Sequence, residues 1–426
     1  MPTPLRAGIV TIGSELTSGT RFDTNSPWLA KRLAPLGIEA WVHRSVPDDL
    51  EAIARAFDET VAQAQVVIST GGLGPTSDDL TRDALARLLG VDLVFDAPSW
   101  EAIEARFAAF GRTPSESNRR QAEFPRGARV LATDVGTAAG FVVERRGVPI
   151  YAVPGVPREM RWMWERYLEP DLRALGGAAR AVRAFRCVGI AESALGERLR
   201  EVEATAGVEV RYAVEEAAGT IEVRLLTPPD VDAEALAARA HALVGAHHVC
   251  ATGEDSLAEG VGRLLLGRGL TVATAESCTG GRIAAALTAI PGISGAFLEG
   301  LVTYSNEAKT RLLGVPAEVI ADRGAVSAEV ARAMAQGARE RAGADWAVAT
   351  TGVAGPGGGS AEKPVGLVHL AVAGRDGAIH HVERRYPGDR DQVQARASAG
   401  ALDLLRRAVL GVVGERDPDW AGTRRA

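Results

Sequence analysis

A serine behind a short apolar run has the surroundings that acyl-transfer chemistry requires. Ser277 lies in the segment 274–281, TAESCTGG, after the run 270–273, LTVA, which predicts a buried strand. Apolar residues then recur at helical spacing over 283–290, so the chain is predicted to turn from strand to helix at the serine. The first N–H groups of such a helix have no partner inside it and can hold a phosphate or a developing oxyanion. The alternative is that Ser277 or Thr279 only caps the helix.

Two further strand ends carry polar residues that could join this serine. Tyr304 ends one strand-like run, and Lys309 follows five positions later. A second run ends at Thr351, directly before the glycine-rich segment 352–359. Because ligands of open α/β sheets bind outside the carboxyl ends of the strands, Ser277, Tyr304 and Thr351 can converge on one site.

The first half of the chain has a glycine-rich loop of its own. The strand-like run 66–70, VVIST, leads into residues 71–79, GGLGPTSDD. Main-chain N–H groups of such a loop could cradle a phosphate, and its carboxylates could hold a hard cation. An ordinary turn in which Asp79 caps the next helix is the alternative, and the spacing alone leaves both open.

Strand-like runs alternate with helix-like segments in both halves, which predicts the α/β class with open, doubly wound, mainly parallel sheets. In the first half, Ser26 is predicted to cap a helix with Pro27 as its first residue. Residues 185–244 predict a different pattern, β-α-β-β-α, which is typical of a small α+β domain.

Composition excludes several classes of protein. The chain has 426 residues, 46% hydrophobic and 24% charged, with a net charge of −6, so a general attraction to nucleic acid or to an anionic membrane is not expected. The widely spaced Cys187, Cys250 and Cys278 argue against a zinc site or a disulfide framework and favour a cytoplasmic protein. No signal peptide and no apolar run long enough for a membrane span is expected.

The three motifs of the second half resemble those of a known family. AESCTGG, VTYSN with a following lysine, and TTGVAGP are similar to the nicotinamide-mononucleotide deamidase domain of the CinA (competence- and damage-inducible) family, over about residues 250–410. The resemblance implies a cofactor-free amidohydrolase that converts nicotinamide mononucleotide to nicotinate mononucleotide and ammonia and that forms a homodimer. It implies catalytic roles for Ser277, Tyr304, Lys309 and Thr351, and substrate contacts from Thr279, Gly280, Gly281, Gly352, Gly355, Arg390 and Arg396, without separating the two arginines as phosphate ligands.

Hydrolysis of a carboxamide requires a nucleophile, a base and an oxyanion stabiliser. Lys309, if desolvated or beside Tyr304, could be neutral near pH 7 and take the serine proton, or Tyr304 could relay it; both assignments remain open. Thr351 and the amides of Thr279–Gly281 could bind the oxyanion. The absence of Gly-x-Ser-x-Gly disfavours an α/β-hydrolase triad.

The first half resembles the molybdopterin-binding fold, and its Gly13, Glu15, Gly19, Asp23 and Asn25 resemble the CinA amino-terminal domain. The resemblance implies an ADP-ribose pyrophosphatase that uses a divalent metal (Mg, Mn or Co), and it leaves an additional role of K open. It implies a site formed by Gly71, Gly72, Gly74, Thr76, Asp79, Asp83 and Asp48 (or Asp49), with Asp78 and Asp79 as metal ligands. Thr133 and Ala139 depart from the family pattern, where Asn and Pro are usual, and both border the expected ligand loop.

These assignments predict domains at 1–172, 173–250 and 251–415, followed by a polar tail at 416–426. The middle domain resembles a KH module but lacks its Gly-x-x-Gly loop, so we expect a spacer rather than an RNA binder. A chain beginning near Ala251 is expected to keep deamidation. Two rival hypotheses are a non-enzymatic nucleotide-binding adaptor and, for the first domain, molybdopterin handling.

Overall fold

The computed structural model describes residues 5–176, 179–216 and 218–413. The predicted polar tail at 416–426 lies outside these residues. The chain divides into two compact units, Met1–Val182 with Pro228–Asp230, and Arg183–Thr227 with Val231–Ala426. The segment expected to form a separate middle domain thus falls almost entirely within the second unit.

The first unit is built on a sheet with strand order β2-β1-β3-β8-β7-β6 and a ribbon of β4 and β5. Its strands are β1 (Leu5–Ile12), β2 (Ile38–Val46), β3 (Val66–Thr70), β4 (Leu93–Phe95), β5 (Glu123–Pro125), β6 (Arg129–Leu131), β7 (Gly140–Arg145) and β8 (Val148–Val153). Its helices are α1 (Ser14–Thr17), α2 (Asn25–Leu33), α3 (Leu50–Val61), α4 (Thr81–Leu89), α5 (Ala97–Ala109), α6 (Pro157–Met163) and α7 (Glu169–Ala174).

Strands β2, β1, β3 and β8 are parallel, and β7 and β6 run antiparallel to their neighbours. Successive side chains of β1 enter two different cores, Val10 on one face and Ile9 on the other, as expected for a sheet covered by helices on both sides. The α/β fold class predicted from the sequence is confirmed. The predicted cap of α2 is wrong: the helix begins at Asn25, and the Asp23 carboxylate accepts from the N–H groups of Asn25 and Ser26.

The second unit contains two sheets, with strand orders β10-β11-β9-β12 and β14-β13-β15-β16-β17. Its strands are β9 (Ala181–Val188), β10 (Glu209–Glu215), β11 (Thr220–Thr227), β12 (Val249–Thr252), β13 (Val272–Glu276), β14 (Phe297–Val302), β15 (Trp346–Gly352), β16 (Leu367–Gly374) and β17 (Ile379–Arg385). Its helices are α8 (Glu192–Glu203), α9 (Ala233–Val244), α10 (Leu257–Arg268), α11 (Arg282–Thr288), α12 (Asn306–Leu313), α13 (Ala317–Arg323), α14 (Ala328–Ala342) and α15 (Arg390–Leu410).

The predicted β-α-β-β-α unit is confirmed as β9, α8, β10, β11 and α9, and the structure adds β12, which pairs antiparallel with β9. The boundary expected between residues 250 and 251 therefore falls inside a strand. The start of β12 is also held by Arg406 of α15, which is buried. Its guanidinium donates to the carbonyls of Ala246, His247 and Val249 and to the carboxylate of Asp403.

The order of the larger sheet identifies where a ligand can bind. Strand β13 has parallel neighbours on both sides, β14 and β15, while β16 and β17 are antiparallel. The chain leaves β13 for one neighbour and later returns on the other side. The carboxyl end of β13 is therefore a topological switch point, where a crevice opens between diverging connections.

Among the described residues, none of the helices is both long enough and apolar enough to cross a membrane.

Candidate active site

Ser277 is the first residue after β13 and lies at this switch point. Its N–H donates to the carbonyl of Thr350, 3.1 Å away, which fixes the residue against β15. Gly280 (φ +65°) and Gly281 (φ +96°) then adopt left-handed conformations that bend the chain into α11. The serine is 8% exposed, so its hydroxyl lies in a largely desolvated pocket.

Lys309 meets this serine from α12. Its Nζ lies 3.1 Å from Ser277 Oγ, 2.9 Å from the carbonyl oxygen of Thr303 and 3.4 Å from that of Tyr304. The helix begins just before it, where the Ser305 hydroxyl accepts the N–H of Ala308. Lys309 is 1% exposed, and this burial lowers its pKa, because desolvation penalises the charged ammonium. The structure thus joins the two residues that the sequence suggested as nucleophile and base.

Cys278, the neighbour of the serine, has the opposite character. Burial raises the pKa of its thiol to about 12. A thiol is nucleophilic as the thiolate, so this cysteine is inert near neutral pH.

The main chain after Ser277 does not offer the free N–H groups that the sequence predicted for Gly281. The carboxylate of Glu276 accepts from the N–H groups of Gly281 (3.0 Å), Ile283 (3.1 Å) and Ala284 (2.8 Å). The start of α11 is therefore occupied from within the protein.

The amide of Gly280 is also used, because it donates to the carbonyl of Ser277 at 3.2 Å. In the part of the chain that the structure describes, the N–H groups of Cys278 and Thr279 donate to no other residue. Of the three amides predicted as oxyanion donors, those of Gly280 and Gly281 are therefore used inside the protein, and among the described residues that of Thr279 is not.

The hydroxyl predicted at Thr351 is committed elsewhere. Thr351 Oγ1 donates to the carbonyl of Ala325 at 2.7 Å, whereas the preceding Thr350 shares a 2.7 Å hydrogen bond with the hydroxyl of Thr279. Both threonines of that pair are buried. Gly352 leaves no room for a side chain, because a Cβ there would lie 2.6 Å from the carbonyl oxygen of Leu367. The contacts of Thr351 and Gly352 thus lie with Ala325 and Leu367 and not with Ser277 or Lys309.

One arginine of the two proposed from the sequence borders the site. Arg390 donates to the carbonyl of Gly355 (2.8 Å) and to the hydroxyl of Tyr304 (2.9 Å). Tyr304 is 62% exposed, so its ring lies at the mouth of the crevice while its carbonyl faces Lys309. Arg396 instead donates to the carbonyl of Pro387.

The glycine-rich loop of the first unit is tightly built. Gly71 (φ +110°) and Gly72 (φ +63°) both adopt conformations that favour glycine, and a Cβ on Gly71 would lie 2.1 Å from the carbonyl oxygen of Ile12. The buried guanidinium of Arg82 donates to the carbonyls of Leu73 and Gly74. The loop is thus held in place by a side chain of α4, the helix that follows it.

The acidic residues predicted around this loop have partners in the protein. Asp79 accepts from the N–H and hydroxyl of Thr76, which closes the turn, and Asp83 pairs with Arg120 at 3.0 Å. Asp48 accepts from the N–H of Ser14. Asp49 caps α3.

Among the described residues, no group of three or more His, Cys, Asp or Glu side chains is arranged to hold a metal ion. Asp78 and Asp79 therefore do not form a preassembled metal centre with a third ligand. A cavity of about 410 Å³ lies beside the loop, lined by residues that include Glu15, Asp23, Asn25, Thr70 and Gly155. Thr133 and Ala139, which depart from the family pattern, line a different cavity of about 270 Å³.

Sequence reasoning missed three residues of the second site: Glu276, Thr303 and Thr350. The sequence did indicate Glu276, because a carboxylate at the end of a predicted buried strand needs hydrogen-bond donors nearby. Thr303 acts through its carbonyl, which any residue would supply, and Thr350 lies one position before the threonine that was chosen.

Comparisons with known proteins match both units. The family described as the CinA C-terminal domain matches residues 254–409, and the probable molybdopterin binding domain matches residues 8–174. A CinA-like protein of Anaeromyxobacter dehalogenans is 42% identical over 95% of this chain and 100% of its own. A CinA-like protein of Citrifermentans bemidjiense is 44% identical over 95% of this chain and 98% of its own.

Solved structures are also similar to part of this chain. The competence/damage inducible protein CihA from Agrobacterium tumefaciens is 48% identical, covering 37% of this chain and 97% of its own, with a TM-score of 0.35. A competence-damaged protein (CinA) superfamily protein from Klebsiella pneumoniae is 41% identical over 35% of this chain and 94% of its own, with a TM-score of 0.35.

Proposed function

The chain belongs to the CinA family, and from the geometry of its second unit we propose that it hydrolyses nicotinamide mononucleotide to nicotinate mononucleotide and ammonia. The observation that carries the proposal is the 3.1 Å contact between Ser277 Oγ and the buried Nζ of Lys309. A helix-capping serine has no need of a desolvated lysine, whereas a serine nucleophile requires a base within hydrogen-bonding reach. The choice of substrate comes from the family resemblance.

In the proposed mechanism, neutral Lys309 takes the hydroxyl proton as Ser277 Oγ bonds to the carboxamide carbon. The resulting oxyanion accepts from the free amides of Cys278 and Thr279. The Lys309 ammonium, held by the carbonyls of Thr303 and Tyr304, returns the proton to the leaving nitrogen as the C–N bond breaks and ammonia departs. Lys309 then activates a water that hydrolyses the ester, which releases the carboxylate and restores the serine.

The contacts favour Lys309 over Tyr304 as the base. The hydroxyl of Tyr304 accepts from Arg390 at the exposed mouth, while only its main-chain carbonyl reaches the lysine. Arg390 is correspondingly the better placed arginine for the substrate phosphate, since its guanidinium lies between Tyr304 and the Gly355 loop.

Ser277→Ala tests the proposal. The variant should lose ammonia release while still binding nicotinamide mononucleotide, because the phosphate contacts lie on other groups. Ser294→Ala, a change at an exposed serine of the same unit, is the matched control and should keep full turnover. Products are measured by mass spectrometry and binding by calorimetry. If Ser277→Ala keeps most of its turnover, the serine is only a cap and the proposal is wrong.

For the first unit we propose hydrolysis of ADP-ribose to AMP and ribose 5-phosphate. Support comes from the glycine-rich loop itself, which directly follows the carboxyl end of β3 and bends at the left-handed Gly71 and Gly72, as in loops that bind a diphosphate. Among the described residues, the carboxylates do not by themselves form a metal site, so hydrolysis is measured with Mg, Mn or Co and without a metal. Asp79→Asn should abolish this hydrolysis, with and without each ion, and leave deamidation intact. Unchanged hydrolysis would remove Asp79 from the site, and molybdopterin binding without hydrolysis would favour the rival hypothesis.

A further inference from the structure

Glu276 is a fully buried carboxylate directly beside the nucleophile. It is 0% exposed, and no arginine, lysine or histidine among the described residues forms an ion pair with it. Its oxygens accept instead from the amides of Gly281, Ile283 and Ala284 at 2.8 to 3.1 Å. All three contacts use its oxygens as acceptors. Hydrogen bonds of this kind are among the stronger ones in proteins.

The same residue is also tied to the lysine side of the site. The carbonyl of Glu276 accepts the N–H of Thr303 at 2.8 Å, and the carbonyl of Thr303 in turn accepts from Lys309 Nζ at 2.9 Å. Its side chain fixes the turn that carries Ser277, and its main chain fixes the segment that holds Lys309. The 3.1 Å separation of Oγ and Nζ therefore depends on Glu276 from both directions.

We propose that Glu276 is the positioning residue of the serine–lysine pair: its carboxylate holds the turn at residues 277–281 so that Ser277 Oγ stays within proton-transfer reach of Lys309. The inference rests on the proposed amidohydrolase function. Glu276 does not touch substrate, because its carboxylate is enclosed and its oxygens are committed to the main chain. By accepting from Gly281 it also leaves the amides of Cys278 and Thr279 as the donors for the oxyanion.

Two substitutions separate the position of the carboxylate from its charge. Glu276→Gln keeps the length, but its NH₂ group replaces one acceptor oxygen and opposes a main-chain N–H. Glu276→Asp keeps the charge but is one methylene shorter, so it cannot span the same three amides. The matched control is Glu259→Gln, because Glu259 accepts the N–H of Ser256 at the start of α10, a helix cap outside the site.

The experiment measures the rate at which a fluorophosphonate probe labels Ser277, together with kcat and KM for nicotinamide mononucleotide. Displacement of a reacting group by about 1 Å costs on the order of 100-fold in rate, so Glu276→Gln and Glu276→Asp should slow labelling and lower kcat by about that factor. KM should stay within about twofold, because the phosphate contacts are elsewhere. The acid limb of the pH profile should not move, because the burial of Lys309 is unchanged. Glu259→Gln should match the wild type in every rate.

If Glu276 only caps the helix, as Glu259 does, then Glu276→Gln and Glu259→Gln should both lower the thermal midpoint of unfolding and leave the labelling rate of the folded protein unchanged. That result overturns the proposal. If Glu276→Gln does not fold, Glu276→Asp carries the comparison, and if neither folds, Glu276 supports the whole unit and the specific role is refuted. Labelling that is strong in the wild type and slow in the Glu276 variants, without turnover of nicotinamide mononucleotide, would support the positioning role while refuting the proposed substrate.

Discussion

Replacing Lys309 with methionine should slow deamidation by about 10²- to 10⁴-fold, the range that a general base contributes. Methionine has similar length but cannot accept a proton. The Nζ–Oγ distance of 3.1 Å is within the range in which a base acts directly on its nucleophile. At 1.36 kcal/mol for each factor of ten, the expected loss of transition-state stabilisation is about 2.7 to 5.4 kcal/mol.

The proposed base also predicts the direction in which kcat/KM changes with pH. Only the neutral amine can take the serine proton, so kcat/KM should rise as pH increases through the pKa of Lys309. Burial lowers that pKa, and the acid limb should therefore have its midpoint below about 10.4, the value of an unperturbed lysine. Lys309→Met should lose this limb. Lys309→Arg should be equally impaired, because a guanidinium stays protonated throughout the range.

The assay is steady-state ammonia release from nicotinamide mononucleotide over a pH series, with the fold of each variant checked by circular dichroism. Lys31→Met, a lysine of α2 in the first unit, is the control and should match the wild type. The double variant Ser277→Ala/Lys309→Met should be no slower than Ser277→Ala, because nucleophile and base act as one unit. A folded Lys309→Met that keeps more than about a tenth of the wild-type kcat/KM would refute the assignment of the base.

Further predictions concern Cys278 and Arg390 beside the pair and Arg406 elsewhere in the second unit. Cys278→Ala should keep kcat within about twofold, and iodoacetamide should not inhibit the wild type, because a thiol with a pKa of about 12 stays protonated; rapid inactivation would contradict this. Arg390→Met should raise KM for nicotinamide mononucleotide by about 10- to 100-fold, as expected for hydrogen bonds to a charged group worth about 1.5–3 kcal/mol, and an unchanged KM in titrations would exclude it from the phosphate site. Arg406→Met should destabilise the second unit by about 1–3 kcal/mol in urea unfolding, since it removes one of the two arginines that pair with the buried Asp403 and leaves the carbonyls of residues 246, 247 and 249 without that donor. A chain that begins at Ala251 should show a lower unfolding midpoint because it lacks these carbonyl partners of Arg406; equal midpoints would show that this contact adds nothing.

The fold could be predicted from the sequence where local chemistry determines it. Buried strands such as β3 and β13 are short runs rich in apolar and β-branched residues with glycines in the turn that follows, and the next helices carry apolar residues at helical spacing. Apolar periodicity does not encode strand direction, so the antiparallel pairing of β16 and β17 was not predicted. Strand β12 was not predicted for a related reason. Its four residues are too few to show an apolar pattern, and the strand is defined by its pairing with β9, more than sixty positions away.

The candidate site was likewise predictable in its residue types but not in its contacts. The residue types of Ser277 and Lys309 indicated a nucleophile and a base, but they lie 32 positions apart, and only the parallel pairing of β13 with β14 brings them to 3.1 Å. The choice between Arg390 and Arg396 could not be made either, because both lie in the first two turns of the same helix, and only the structure shows that Arg390 contacts the Gly355 carbonyl while Arg396 contacts that of Pro387.

The oxyanion donors show most clearly what a motif leaves undecided. Gly280 and Gly281 follow the serine as they would in a loop whose amides are free, yet Glu276 and the Ser277 carbonyl occupy both amides. A buried carboxylate must find donors, and the start of α11 supplies them seven and eight residues later along the chain. The charge that would otherwise make this helix start attractive to an anion is thereby already neutralised. In the mechanism proposed above, the oxyanion is held by the amides of Cys278 and Thr279, which belong to the turn rather than to the helix, so its stabilisation would depend on how rigidly Glu276 holds that turn.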